Sequence, residues 1–98
     1  MAAGDVVSDY SDDLAADAYM SIQPAAGVEW VIHNIYCGAT CEVYWSNGSK
    51  EIPIFSATGA AWISGMFSHC TNGKYLKVKN KSGGASDFGY DGIITKQG

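Results

Sequence analysis

Val28-Glu29-Trp30-Val31-Ile32-His33-Asn34-Ile35-Tyr36-Cys37 is the longest strand pattern in the chain, and its reading decides the fold. It is rich in β-branched and aromatic residues and is bounded by Gly27 and Gly38, which marks an extended segment. Side chains alternate across a strand. Simple alternation puts Trp30, Ile32 and Tyr36 on one face and Val31, His33, Ile35 and Cys37 on the other. Both sets are apolar, so this strand needs cover on both sides. In a small domain the second cover is expected from another subunit or from the N-terminal segment.

The same pattern recurs on either side. Tyr19–Gln23 precedes it and ends at Pro24. Beyond the tight loop Gly38-Ala39-Thr40 come Cys41–Trp45, Lys50–Phe55, Ala60–Cys70 with a bend expected at Gly65, Tyr75–Asn80 and Phe88–Lys96. Two Asn-Gly pairs, Asn47-Gly48 and Asn72-Gly73, separate neighbouring runs, and this dipeptide supplies the positive φ of a type I′ hairpin turn. Pro53 cannot donate to a ladder, so its strand should lie at an edge or carry a bulge. Short strands at regular spacing, punctuated by turn residues, predict an all-β protein. We expect an antiparallel β-sandwich of seven or eight strands, jelly-roll-like, with an extended N-terminal arm. The strand order is not legible, because loops of similar length allow several threadings.

The arm is set apart by composition. Residues 1–17 carry Asp5, Asp9, Asp12, Asp13 and Asp17 and no base, whereas residues 18–98 carry all six Lys against five acids. Val6, Val7, Tyr10 and Leu14 are its only anchors. They are too sparse to build a core, so the arm is expected to be extended, with at most one helical turn, and ordered by a partner. The organisation expected is an acidic arm, 1–17, and a sandwich domain, 18–98.

Composition restricts the functional classes. Of 98 residues 47% are hydrophobic and 16% charged, and there are three Trp, six Tyr and three Phe. That exceeds what one thin core can hold, which favours a homo-oligomer or a subunit of something larger. The net charge is −4 and there is no Arg. Nucleic acid is therefore not an expected partner. No apolar run is long enough to span a membrane as a helix, and no secretory signal pattern precedes the first strand.

Sites for chemistry are scarce. His33, Cys37, Cys41, His69 and Cys70 are possible zinc ligands, but their spacing matches no metal knuckle, so they read as small buried hydrophobes and rim histidines. Cys37 and Cys41 flank a short loop across which they could pair, a less expected state than two small buried thiols. No nucleophile elbow, paired-carboxylate pocket or phosphate loop is present, so neither an enzyme nor a cofactor is expected. The aromatic residues remain. Trp30, Trp45, Trp62, Tyr44 and Tyr90 suit core packing, a protein interface or a sugar-stacking face. The interface candidates are Trp30, Tyr44, Trp45 and Trp62, with Val6, Val7, Tyr10 and Leu14 of the arm.

Three stretches carry a resemblance: Met1-Ala-Ala-Gly-Asp-Val-Val-Ser-Asp9, Ile22-Gln-Pro-Ala-Ala-Gly-Val-Glu-Trp-Val-Ile-His-Asn-Ile-Tyr36 and Gly89-Tyr-Asp-Gly92. Together they resemble small structural proteins of tailed bacteriophages, some of which decorate or cement the capsid. The resemblance implies a virion protein assembled in the host cytoplasm, clustered as a trimer on the major capsid protein. It supplies no catalytic residues. The alternative is a lectin-like module, or a tail or fibre component, that recognises host-surface glycan. A shallow groove with two or more exposed aromatic residues would favour that alternative, and aromatic residues buried between subunits would favour a cement role.

Overall fold

A computed structural model describes residues 2–97. Met1 and Gly98, which end the two expected segments, lie outside the described residues. Nine strands run in chain order: β1 Val6–Leu14, β2 Tyr19–Ile22, β3 Glu29–Cys37, β4 Cys41–Ser46, β5 Glu51–Ala57, β6 Ala61–Ile63, β7 Ser68–Thr71, β8 Tyr75–Asn80 and β9 Ser86–Lys96. There is no helix among the described residues. The strands form two antiparallel sheets packed face to face, the β-sandwich that the alternating pattern predicts. One sheet has the order β1-β9-β3-β6, with β7 continuing along β3, and the other has the order β2-β8-β4-β5.

The pairing is nested. β1 pairs with β9, β2 with β8, β3 with β6 and β7, and β4 with β5. The chain is thus one long hairpin with its tip at the β4–β5 turn. It is doubled over so that successive pairs fall in alternate sheets. Ile22, Ile32, Ile35, Val43, Leu76, Val78 and Phe88 fill the space between the sheets and are almost wholly buried. Cys37, Cys41 and Cys70 are buried with them as small apolar side chains.

Pro53 behaves as its chemistry requires: β5 is the edge of its sheet, and a bulge opens between Val43 and Tyr44, opposite Pro53. The run Ala60–Cys70 divides at Gly65, where φ is +71°, into β6 and β7, and with β1 added by the acidic segment the described residues hold nine strands and not seven or eight.

Three expectations are corrected. First, the N-terminal segment is part of the sandwich. β1 pairs with β9 from Val6 to Leu14. A backbone ladder needs no apolar side chains, so the aspartates of β1 can stay wet at a sheet edge while Val7 is buried and Leu14 packs against the core. Second, the Asn-Gly loops are not type I′ turns. Of their four central residues only Gly48 has positive φ, +91°. The first loop is closed by the Asn47 side chain, whose Oδ1 accepts the N–H groups of Ser49 and Lys50 at 2.9 and 2.8 Å. The second is closed by Thr71, whose Oγ1 accepts the Lys74 N–H at 3.1 Å. Third, alternation in β3 is broken by a bulge. Ile32 pairs with Gly92 and Asn34 with Asp91, so His33 is an extra residue. Tyr36 is thereby turned away from Trp30 and Ile32, and Ile35 and Cys37 take the core side. The bulge depends on Gly92. A Cβ there would lie 2.1 Å from the Val31 carbonyl oxygen and 2.8 Å from Ile32 Cα.

Candidate functional site

The corrected register creates a surface feature that simple alternation hides. Directly paired residues in an antiparallel sheet share a face. Tyr10 pairs with Gly89, Gly89 with Tyr36, and Tyr36 with Trp62. These four form one row across the outer face of the first sheet, from β1 through β9 and β3 to β6. Tyr10, Tyr36 and Trp62 are 68%, 41% and 66% exposed. Because Gly89 has no side chain, the row is interrupted by a groove of about 320 Å3, lined by Ser8, Asp9, Tyr10, Tyr36, Asp87 and Gly89 with the backbone of its neighbours.

Tyr36 is held from two directions. Its ring stacks on Trp62 with centroids 6.2 Å apart and an interplanar angle of 18°. Its hydroxyl donates to Asp91 Oδ2 at 2.5 Å, and Asn34 Nδ2 donates to Asp91 Oδ1 at 2.7 Å. The bond to Asp91 raises the Tyr36 phenol above its ordinary value, because the carboxylate stabilises the protonated hydroxyl.

The second feature is the open edge of the sandwich. Phe55 pairs with Val43, and Ile52 with Trp45, so both stand on the face that is core in β4. Sheet one offers only the short strands β6 and β7 opposite them, and Ile52, Ile54, Phe55 and Phe67 are 58%, 48%, 45% and 76% exposed. A cleft of about 350 Å3, lined by Trp45, Ile52, Ile54, Ser68, His69 and Leu76, runs between the sheets there.

The sequence-derived candidates are dispersed. Tyr10 and Trp62 meet in the aromatic row, and Trp45 lines the open cleft. Val7 is in the core, Leu14 packs against it, and Val6 is exposed on β1. Trp30 is half-buried and stacks on Tyr90 at 6.2 Å; its indole N–H has no partner among the described residues. Tyr44 lies on the wet face of the second sheet, its ring tilted against that of Tyr19 and its hydroxyl donating to Glu42, which pushes its phenol up to about 12. Lys77 crosses the same face to Glu51 at 2.5 Å.

Sequence reasoning missed Tyr36, because the bulge at His33 is invisible to period-two counting. It also missed Ile52, Ile54, Phe55 and Phe67. The edge position implied by Pro53 was the available signal for the first three.

The cysteine and histidine residues separate. Cys37 and Cys41 Sγ lie 2.8 Å apart and share a hydrogen bond in the core. The shared bond favours the thiolate at Cys41 and the protonated thiol at Cys37, and Cys41 also accepts from the backbone of Ala57. Cys41 is thus held below the ordinary thiol value, and Cys37 is pushed above it. Burial pushes Cys70 up to about 11. His33 packs edge-on against Phe67, 5.5 Å away. Among the described residues no three His, Cys, Asp or Glu side chains gather as a metal-binding group.

The fold and these surfaces define a small two-sheet β-sandwich with one uncovered apolar edge and one aromatic groove. No protein-family model matches the chain, and no curated protein is significantly similar to it.

Proposed function

We propose that this protein is a structural subunit of a virion, a decoration or cement protein that binds the head of a tailed bacteriophage as a homotrimer. The observation that carries the reading is the open edge. Ile52 and Ile54 stand largely exposed beside Trp45 in the cleft, and Phe55 on β5 and Phe67 just before β7 are exposed as well. Exposed apolar groups of this kind mark contact surfaces. Burying one such large side chain contributes about 2–3 kcal/mol at about 25 cal/mol per Å2. Pro53 and the bulge beside it interrupt the free edge of β5, so a neighbour is held by side-chain packing and not by adding a strand. The nested pairing supports a jelly-roll winding. The partners on this reading are two further copies of the chain and the major capsid protein.

The test is an averaged map of intact particles together with light scattering of the isolated protein. The expected result is density for the chain on the outer shell in trimeric clusters. Ile54→Lys and Phe67→Lys should stay folded and lose both self-association and particle binding. Density confined to the tail, or its absence from the head, overturns the proposal. So does a wild-type protein that binds heads no better than the two Lys variants.

A further inference from the structure

We propose that the groove between Tyr10 and Tyr36 binds a neutral pyranose sugar. This goes beyond an assembly role and uses a different surface, the outer face of the first sheet, with none of the residues that line the open cleft. Tyr10 and Tyr36 stand on β1 and β3, with β9 between them, so their backbones are two strand spacings apart, about 9.5 Å. A sugar ring held at van der Waals distance from an aromatic face on each side, about 3.5–4.0 Å, fills that interval. The floor is open only because residue 89 is glycine. A Cβ there would lie 3.0 Å from Tyr10 Cβ and 3.1 Å from the Asp9 carbonyl oxygen.

One wall, Tyr36, is prepared for stacking. Trp62 covers one side of Tyr36, β9 lies on the other, and the Asp91–Asn34 pair fixes the hydroxyl. An exposed aromatic ring already locked in place loses little freedom on binding. The rim supplies acceptors. Asp87 Oδ1 takes the Asp13 N–H, so its carboxylate keeps a second oxygen for a sugar hydroxyl, and Ser8 also lines the groove. Among the described residues no Lys lines the groove, so the Asp87 carboxylate selects against anionic sugars by repulsion. About 320 Å3 is at the small end of ligand clefts (roughly 300–1,000 Å3), which fits one sugar unit or the end of a glycan and millimolar affinity.

The experiment is a titration of the full-length, 15N-labelled chain, followed by amide shifts. The probes are the methyl glycosides of glucose, galactose, mannose and N-acetylglucosamine at tens of millimolar. The methyl glycoside of N-acetylneuraminic acid and tetramethylammonium serve as anionic and cationic comparisons. We expect at least one neutral glycoside to shift Ser8–Tyr10, Tyr36 and the residues around Gly89, with the anionic sugar weaker. Tyr10→Ala and Tyr36→Ala should each weaken binding about tenfold. Tyr36→Phe keeps the ring and should stay within about threefold of wild type, and Ile54→Ser on the open edge should not change binding. Circular dichroism confirms that each variant is folded. The proposal is overturned if none of the four neutral glycosides shifts these amides, if both alanine variants bind as wild type, or if tetramethylammonium occupies the groove and the sugars do not. Loss of assembly by the open-edge variants with sugar binding intact separates the two functions.

Discussion

The two lateral edges of the sandwich are built from similar material and end in opposite states. At the β1/β2 edge, Val7, Met20 and Ile22 are buried, Leu14 packs onto the core, and the chain between the sheets is tied down. Asn80 does much of the tying: its Nδ2 donates to the carbonyls of Leu14 and Gly84, and its Oδ1 accepts from the N–H and hydroxyl of Ser82. At the β5/β6–β7 edge, equally apolar residues stand in the open. The difference is strand length. β1 has 9 residues and pairs with β9 from Ile93 back to Ser86, whereas β6 and β7 have 3 and 4 and are parted at Gly65. An acidic strand that is long enough closes an edge better than apolar strands that are short, because closure comes from the backbone ladder and the position of one or two inward side chains.

The largest expected effect tests the closed edge. Removing residues 2–17 strips β1 from β9, uncovers Val7's neighbours and leaves the donors of Asn80 without Leu14. The truncated chain should be unfolded, or destabilised by more than about 4 kcal/mol in urea titrations. A truncation that unfolds at the wild-type midpoint would mean that β1 is a passive cover and that the two edges do not differ.

A matched pair of substitutions sharpens the contrast. Ile22 and Ile54 both lie on edge strands, wholly buried and about half exposed respectively. Ile22→Ala should cost about 2–4 kcal/mol and Ile54→Ala less than about 1 kcal/mol, measured below the concentration at which the protein associates. Equal costs would show that the open edge is already filled by the monomer's own packing.

Asn80→Ala isolates the tie from the apolar cover. It leaves two carbonyls and the Ser82 groups to find water inside a closed edge, at a cost of about 2–3 kcal/mol. The check is thermal unfolding of the variant beside Asn80→Asp, which retains the acceptor and loses the donors, and so should be impaired as well.

The smallest expected effect concerns pH. Cys70 sits where β7 meets the core, and burial raises it from 9.0 to about 11. A raised value favours the protonated folded state. The stabilisation is therefore complete below the unfolded thiol's pKa and is lost as pH rises towards 11, a fall of about 2 kcal/mol. Tyr90, also raised by burial, acts in the same direction. Cys70→Ala should flatten the decline between pH 9 and 11, and native Cys70 should resist alkylation until the protein unfolds.

What the amino-acid sequence by itself determined was local. The strand positions from Tyr19 to Lys96, the edge role of Pro53 and the break at Gly65 all follow from properties of a few adjacent residues: β-branching, a missing N–H, a permitted positive φ. The aromatic excess was also legible as composition; the structure places Tyr10 and Trp62 in the aromatic row and Trp45 beside the open cleft. Only the tertiary structure decided which residues those aromatics would join. The aromatic row exists because β1, β9, β3 and β6 are neighbours in space while being far apart in the chain, and because Gly92 on β9 lets β3 bulge at His33 and turn Tyr36 outward. The acidic segment became β1 for the same reason. Its own side chains do not call for a strand, but β9 presents a free ladder and the nested winding brings the two together. Periodicity within a segment says which face a residue takes if the strand is regular. Where a bulge falls and which strand lies alongside are set by contacts between distant segments, and those have no local signature.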